Sequence, residues 1–162
     1  MPTLPPACLK RWAGIALLLG ALGGCAIATP YREVGQAPAD ASADAALVAI
    51  TEARLGGDRA SRAAFWDGVR EVERSLPSQP GLLGYALRRE LLGNTAWTMT
   101  VWDSEEALDR FVGASAHRSA MAAGDPAIAS VRFARLTRAR DAGPPPWPEA
   151  LDALARRGQG YR

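Results

Sequence analysis

The side chain with the clearest chemical potential in this 162-residue chain is its single histidine, His117. Histidine is the residue type whose ordinary pKa lets it gain or lose a proton near neutral pH. His117 could therefore accept a proton from a phenolic substrate and leave an electron-rich anion that reacts with oxygen. The alternative interpretation is a half-exposed histidine near a helix N-terminus that bonds to a backbone group. We take His117 as the candidate catalytic base.

Aromatic side chains are the second chemical feature. Trp97, Tyr85 and Phe111 fall on predicted strands and a predicted helix that would enclose a space beside a sheet. A small aromatic ligand could stack in such a space. Packing of an ordinary hydrophobic core predicts the same residues at the same spacing. We assign substrate-binding roles to Trp97, Tyr85, Phe111 and Thr51.

Several other kinds of site are excluded because their motifs are missing. The sequence has no Cys/His spacing for zinc, no Gly-x-Gly-x-x-Gly or phosphate loop, and no Gly-x-Ser-x-Gly elbow. Asp103, Glu105 and Glu106 form an acidic cluster, but they open a predicted helix, where acidic side chains favour the helix dipole. We therefore predict neither a metal site nor a bound cofactor.

Alternating apolar residues predict the strands. Residues 46–55 begin with apolar side chains on both faces, which is typical of a central strand covered on both sides. Two further alternating runs flank a Gly93-Asn94 turn and predict a hairpin. In the last run the alternation is imperfect, and a bulge near Ala134 would correct it. The four strands are predicted at 46–55, 83–91, 97–101 and 127–139.

Apolar residues at helical spacing predict the helices. The first begins at Asp58 or Ser61 and ends at Pro77. The second begins with a capping box, in which Asp103 caps the helix and Glu106 reaches back. A short third helix carries His117.

The order strand, helix, strand, strand, helix, strand predicts an α+β, ferredoxin-like βαββαβ fold at 45–140, an antiparallel sheet with helices on one face. Because the strands are apolar on both faces, the other face also needs cover, which a second subunit of a homodimer would supply. Residues 141–162 are predicted to form a Pro-rich spacer and a short C-terminal helix that docks through Leu151 and Leu154, with Trp147 as an anchor.

The N-terminal residues predict export. Lys10 and Arg11 precede an apolar run at 12–22 that is too short to span a bilayer and suits a signal peptide. Small residues then precede Cys25, an arrangement that resembles the bacterial lipoprotein box. The resemblance implies a signal peptide at 1–24 and a membrane anchor through acylated Cys25. Because Ala26 follows, it also implies an outer-membrane location facing the periplasm. Residues 25–44 are predicted to be a flexible tether.

The charge balance argues against a nucleic-acid partner. The chain has 19 basic and 17 acidic residues, and removal of Lys10 and Arg11 with the signal leaves 17 basic residues against 17 acidic ones. A nucleic-acid binder needs a basic face, which a neutral domain does not provide. Cys8 leaves with the signal and Cys25 is acylated, so no disulfide is predicted.

Residues 46–139 resemble the antibiotic biosynthesis monooxygenase family of the dimeric α/β-barrel superfamily. The similarity lies in four parts of the sequence: 81–85, 100–108, Phe111 and 115–118. It implies an antiparallel sheet in a dimeric barrel. It also implies cofactor-independent oxidation of an electron-rich aromatic compound of the quinol or anthrone type.

Two other functions stay open. One is a non-catalytic periplasmic module that binds a hydrophobic small molecule or supports an envelope complex. The other is haem binding through His117, which the family resemblance disfavours. Its haem-degrading branch has an asparagine on the first strand, where this chain offers Ile50, Thr51 and Glu52. The tryptophan and histidine of that branch fall at Phe111 and near Met121.

Overall fold

The computed structural model describes residues 25–34 and 44–161. The predicted signal peptide at 1–24 lies outside these residues, and so does the part of the predicted tether at 35–43. Among the described residues, no helix has the length and apolar character needed to cross a membrane.

Four antiparallel strands form the centre of the fold. They are β3 (Ala45–Leu55), β4 (Leu82–Glu90), β5 (Thr95–Trp102) and β6 (Ile128–Ala139), in the spatial order β4-β5-β3-β6. This is the ferredoxin-like order, and the predicted α+β fold is confirmed. Side chains along β3 alternate between the two sheet faces, because successive residues of a strand point in opposite directions.

Three helices cover one face of the sheet: α1 (Arg59–Ser75), α2 (Glu105–Val112) and α3 (Ser115–Gly124). The α1 helix begins where Asp58 Oδ1 accepts a hydrogen bond of 2.8 Å from the Ser61 amide, one of the two starts predicted. The predicted cap of α2 is wrong. Ser104, not Asp103, has the extended backbone of an N-cap, and its hydroxyl accepts from the Ala107 amide. Asp103 Oδ1 instead accepts from the Ser104 hydroxyl at 2.9 Å.

The predicted bulge near Ala134 is also wrong, because Ala134 pairs regularly with Ile50. The one irregularity in this pairing lies between Arg54 and Leu55. The face of β6 that carries Ala134 and Leu136 does not need to be purely apolar. Arginines on that face bury their stems and direct their charged ends to partners at the edge. Arg132 donates to the Leu154 carbonyl at 2.9 Å, and Arg138 pairs with Glu149.

A fourth helix, α4 (Trp147–Arg157), covers the sheet face opposite α1, α2 and α3. Ala150 and Leu154 pack in one buried cluster with Val48, Ile50 and Ala134. The face that motivated the prediction of a second subunit is therefore already covered within one chain. A dimer built through this face would require α4 to leave, and the homodimer stays a prediction.

Residues 25–34 are not a tether, contrary to the prediction for 25–44. They form β1 (Ala26–Ala28) and β2 (Arg32–Glu33), and both strands pair with β4. The outer edge of β4 has backbone N–H and C=O groups that a neighbouring strand can satisfy. Between the two strands, Thr29 Oγ1 accepts from the Leu87 amide at 3.0 Å. At the other edge of the sheet, β7 (Gln159–Tyr161) pairs with β6.

Tyr31 packs against the β4 backbone at Gly84, where a Cβ atom would come within 2.3 Å of the tyrosine hydroxyl. Glycine is therefore required at this contact. Burial, and secondly the charge of Glu33, raises the pKa of Tyr31 to about 12. Arg32 Nη1 lies 3.3 Å from Glu73 Oε1 of α1, which links the N-terminal segment to the helix layer.

The packing of α4 predicts a stability effect. Leu154 is 1% exposed, so Leu154→Ala should lower the free energy of unfolding by about 2–4 kcal/mol through lost burial and the remaining cavity. Urea denaturation checks this value. Leu92→Ala is the matched control, because Leu92 is 93% exposed and should change stability by less than about 0.5 kcal/mol. Equal stability of both variants would contradict the docking of α4.

Candidate functional site

A cavity of about 380 Å³ lies between the sheet and the helices α1, α2 and α3. Its floor consists of small side chains of β3, namely Ala49, Thr51 and Ala53. The walls are mostly apolar and come from all three helices and from the neighbouring strands: Phe65, Val69, Val72, Leu108, Phe111, Met121, Val131 and Phe133. Such a cavity can bind an apolar or aromatic small molecule.

Gly68 allows the roof of the cavity to close. A Cβ atom at this position of α1 would lie 3.3 Å from the Ala120 carbonyl oxygen of α3. The absent side chain therefore lets α1 and α3 approach each other closely.

His117 projects into the cavity from the first turn of α3. Its ring centre lies 4.7 Å from that of Phe111, with an angle of 55° between the ring planes. The Nδ1 atom is buried and has no hydrogen-bond partner among the described residues. Burial lowers the pKa of His117 below its ordinary value of 6.5, because a charged ring loses its hydration there. Burial therefore favours the neutral imidazole, which is the form that can accept a proton.

Threonines supply hydroxyl groups to the floor of the cavity. Thr51 of β3 lies directly across from Thr98 of β5, and both line the cavity. Thr100 also lines it, but its Oγ1 accepts a hydrogen bond of 2.8 Å from Trp102 Nε1. A ligand with a carbonyl or hydroxyl group can bond to a threonine hydroxyl, which donates and accepts.

The structure brings together three of the predicted site residues: His117, Phe111 and Thr51 all line the same cavity. Tyr85 does not line it. Tyr85 is buried beside the cavity in a cluster with Trp102 and Phe111, and Arg32 Nη1 lies 3.4 Å from its hydroxyl. Its position is that of a core residue next to the site.

The sequence prediction placed Trp97 on the wrong face of the sheet. It pairs across strands with Glu52 and Arg88, so it lies on the face away from His117. Trp97 Nε1 donates to Glu52 Oε2 at 2.9 Å, which satisfies both buried polar groups. The Arg88 guanidinium lies 5.6 Å from the Trp97 ring centre. Trp97 therefore does not reach the cavity that holds His117.

Sequence reasoning missed the residues at the edge of the cavity. Phe133, Val112 and Met121 line it and are also partly exposed to solvent, so they mark its opening. Arg135 closes part of the edge, because its guanidinium pairs with Glu105 and Asp109 of α2. The available signal was the position of Phe133 and Arg135 two residues apart on β6, which places them on one face.

A second cavity of about 310 Å³ adjoins the first beneath α1 and shares several lining residues with it, among them Thr51, Phe65 and Leu87. The N-terminal segment forms part of its wall through Ile27, Ala28 and Thr29. Its remaining lining includes a group of basic and aromatic residues: Trp66, Arg70, Arg88, Arg89 and Trp97.

Comparison with known proteins agrees with this fold. Residues 49–123 match the model of the family described as antibiotic biosynthesis monooxygenase. The matched segment runs from β3 to α3 and contains Thr51, Phe111 and His117. It covers less than half of the chain, and β1, β2, β6 and α4 lie outside it. The comparison with curated proteins finds no match.

Three solved structures share the fold. A protein from Pseudomonas aeruginosa is 16% identical over 57% of this chain and 93% of its own, with a TM-score of 0.51. One from Caulobacter crescentus is 20% identical over 57% of this chain and 89% of its own, with a TM-score of 0.50. A conserved protein of unknown function from Bacteroides thetaiotaomicron is 9% identical over 59% of this chain and all of its own, with a TM-score of 0.51. At these identities the likeness concerns the fold alone.

The burial of His117 predicts a pH dependence of stability. The unfolded chain protonates this histidine near pH 6.5, whereas the folded chain keeps it neutral to lower pH. The unfolded state therefore binds more protons in this window, and stability must fall as the pH drops below 6.5. Urea denaturation of wild type and His117→Gln from about pH 7.5 to about pH 5.5 checks this. The stability of wild type relative to the variant should decrease with acidity, and a constant difference would contradict the burial.

Proposed function

Because an antibiotic biosynthesis monooxygenase domain matches residues 49–123, we propose that the chain oxidises an electron-rich aromatic compound with molecular oxygen, without a resident cofactor. The observation that carries the proposal is the position of His117, which lines an apolar cavity and whose buried Nδ1 atom has no partner among the described residues. An imidazole that lines such a cavity is suited to receive a proton from a bound substrate.

His117 begins the reaction as the base. It removes a proton from a phenolic hydroxyl or an activated ring carbon of a quinol-type or anthrone-type substrate. The resulting anion is electron-rich and transfers electrons to oxygen. One oxygen atom forms a bond to a ring carbon, and the other leaves as water with two hydrogens from the substrate. The substrate is the reductant and molecular oxygen is the oxidant, so atoms and electrons balance.

The cavity assists this chemistry by excluding water and holding an aromatic ring. Phe111 lies against the imidazole and offers a surface on which an aromatic substrate can stack. Thr51 and Thr98 can bond to a carbonyl or hydroxyl group and orient the ring. Other charged groups of the lining are engaged elsewhere: Glu73 with Arg32, and Arg135 with α2. His117 is therefore the group we assign to proton transfer.

Oxygen uptake tests this role directly. With a panel of quinols, anthrones and flavonols, wild type should consume oxygen above the rate of autoxidation. His117→Gln should lower kcat/KM on the best substrate by about 100-fold or more, the usual contribution of a general base. The rate of wild type should fall with acidity only below pH 6.5, because burial lowers the pKa of His117.

Ser119→Ala is the matched control for this measurement. Ser119 lies on the exposed side of the same helix and does not line the cavity, so its substitution should leave the rate unchanged. Uptake by His117→Gln at the wild-type rate would refute the assignment of the base.

A non-catalytic binding module is the second candidate function. The observation that favours it is the same lack of a partner for His117 Nδ1, since many general bases are oriented by a further polar group. This module would bind a hydrophobic small molecule in the cavity and be stabilised by it. A rise in melting temperature with a flat oxygen trace across the whole panel would support binding without turnover.

We also propose that the chain is a lipoprotein of the cell envelope, anchored in the outer membrane through Cys25 and facing the periplasm. The sequence before Cys25 supports this proposal, and so does the exposure of the Cys25 residue itself. The homodimer, which the family resemblance also implies, is part of the same proposal. Its interface would have to accommodate α4.

Acylation of Cys25 can be measured in cells. Mass spectrometry of the membrane-bound protein should find a mature N-terminus at Cys25 that carries acyl chains. Cys25→Ser should remove the modification and release the protein from the membrane fraction, whereas Cys8→Ser should not. An unmodified cysteine in a membrane-bound chain would contradict the anchor.

A further inference from the structure

Three apolar side chains are exposed together at one end of the molecule. Leu91 and Leu92 lie in the turn between β4 and β5 and are 50% and 93% exposed, and Ile27 of β1 is 46% exposed. The turn and β1 are adjacent, because the Leu91 amide donates to the Cys25 carbonyl at 2.8 Å. We call this group, Ile27, Leu91 and Leu92, the apical patch.

One basic side chain, Arg89, flanks the apical patch. Arg89 is the cross-strand partner of Ile27, and its guanidinium lies 5.8 Å from the centre of the Trp66 ring. Arg89 has no carboxylate within ion-pair distance in the part of the chain that the structure describes. Arg88 lies on the other face of the sheet, against Trp97 and Trp147. The nearby acid, Glu90, is turned to the backbone and accepts from the Thr95 amide at 3.2 Å. The surroundings of the patch therefore favour a negatively charged partner.

We propose that the apical patch docks on an anionic lipid bilayer. Exposed leucine and isoleucine side chains can enter the boundary between headgroups and acyl chains, and arginine and tryptophan side chains bind at the headgroup level. The position of Cys25 favours a bilayer as the partner, because the Cys25 carbonyl accepts a hydrogen bond from the turn that carries the two leucines. An acyl chain on Cys25 would begin beside the patch and hold it at the bilayer surface.

This orientation rests on the proposed acylation of Cys25 and goes beyond it, since a tether alone does not fix which face meets the membrane. Anchoring favours docking, because the acyl chains on Cys25 would hold the patch at a high effective concentration beside the bilayer. The second cavity then opens at the bilayer, since Ile27 and Arg89 are both exposed and both belong to its lining.

Hydrogen exchange on the membrane-bound protein tests the orientation. The full chain is reconstituted in vesicles of phosphatidylglycerol and phosphatidylethanolamine in equal parts, and in vesicles of phosphatidylcholine alone. Amides at 88–96 should exchange several-fold more slowly in the anionic vesicles than in the neutral ones. Amides at 111–123, at the opening of the first cavity, should exchange at the same rate in both.

Two variants separate docking from tethering. Leu91→Ser combined with Leu92→Ser should abolish the slower exchange while the protein stays in the vesicles, as should Arg89→Gln alone. Val112→Ser combined with Met121→Ser is the matched control, because these residues are apolar and exposed elsewhere, and it should keep the slower exchange. Equal exchange at 88–96 in both vesicles would overturn the proposal, as would slower exchange at 111–123 instead. Slower exchange that depends on protein density in the vesicles would show contact between copies and would also overturn it.

Discussion

The strand β3 has to be covered on both of its faces, and the rest of the architecture follows from this requirement. It pairs with β5 on one side and β6 on the other, so both of its edges are occupied. Its side chains then have only the two sheet faces to occupy, and both faces are apolar. The helices α1 to α3 cover one face and α4 covers the other. Without both layers, a continuous apolar strip would meet water.

The two faces of β3 differ in the size of their side chains, and this difference explains the cavity. Val48 and Ile50 point toward α4, where packing is close and both are almost fully buried. Ala49, Thr51 and Ala53 point toward the three helices and occupy less volume. The helices cannot pack directly against these small residues, because larger side chains such as Phe65 and Phe111 lie between the helices and the strand. Space therefore remains above the middle of the strand, and His117 reaches that space from α3.

Local patterns in the sequence predicted the four long strands to within about two residues at each boundary. The cap at Asp58 was also predictable. Two other features depend on pairing between residues that are far apart in the sequence. Trp97 was assigned to the wrong face, because the registers of β5 against β3 and β4 decide the face, and they place Trp97 across from Glu52 and Arg88. The strands β1 and β2 have three and two residues, too few for a pattern, and pairing with β4 creates them.

The cap was predicted one residue too early at α2 because Asp103 and Ser104 are both good capping residues, and the backbone conformation chooses between them. The convergence of His117, Phe111 and Thr51 could be predicted from the order of the strands and helices alone. All three residues lie on the side of the sheet that the helices α1 to α3 cover. The partners of Arg132 and Arg138 could not be predicted without the position of α4.

The α4 helix also determines how the fold responds to dilution. In a protein whose sheet is completed by a second copy, folding and association are linked, so the melting temperature falls as the concentration falls. Here the same chain supplies both layers, and each molecule completes its own interior. Coverage of this face therefore adds no concentration dependence to the melting temperature, whereas a dimer formed through another surface would add one. At low density on a surface, each molecule would therefore keep both faces of its sheet covered without contact with a second copy.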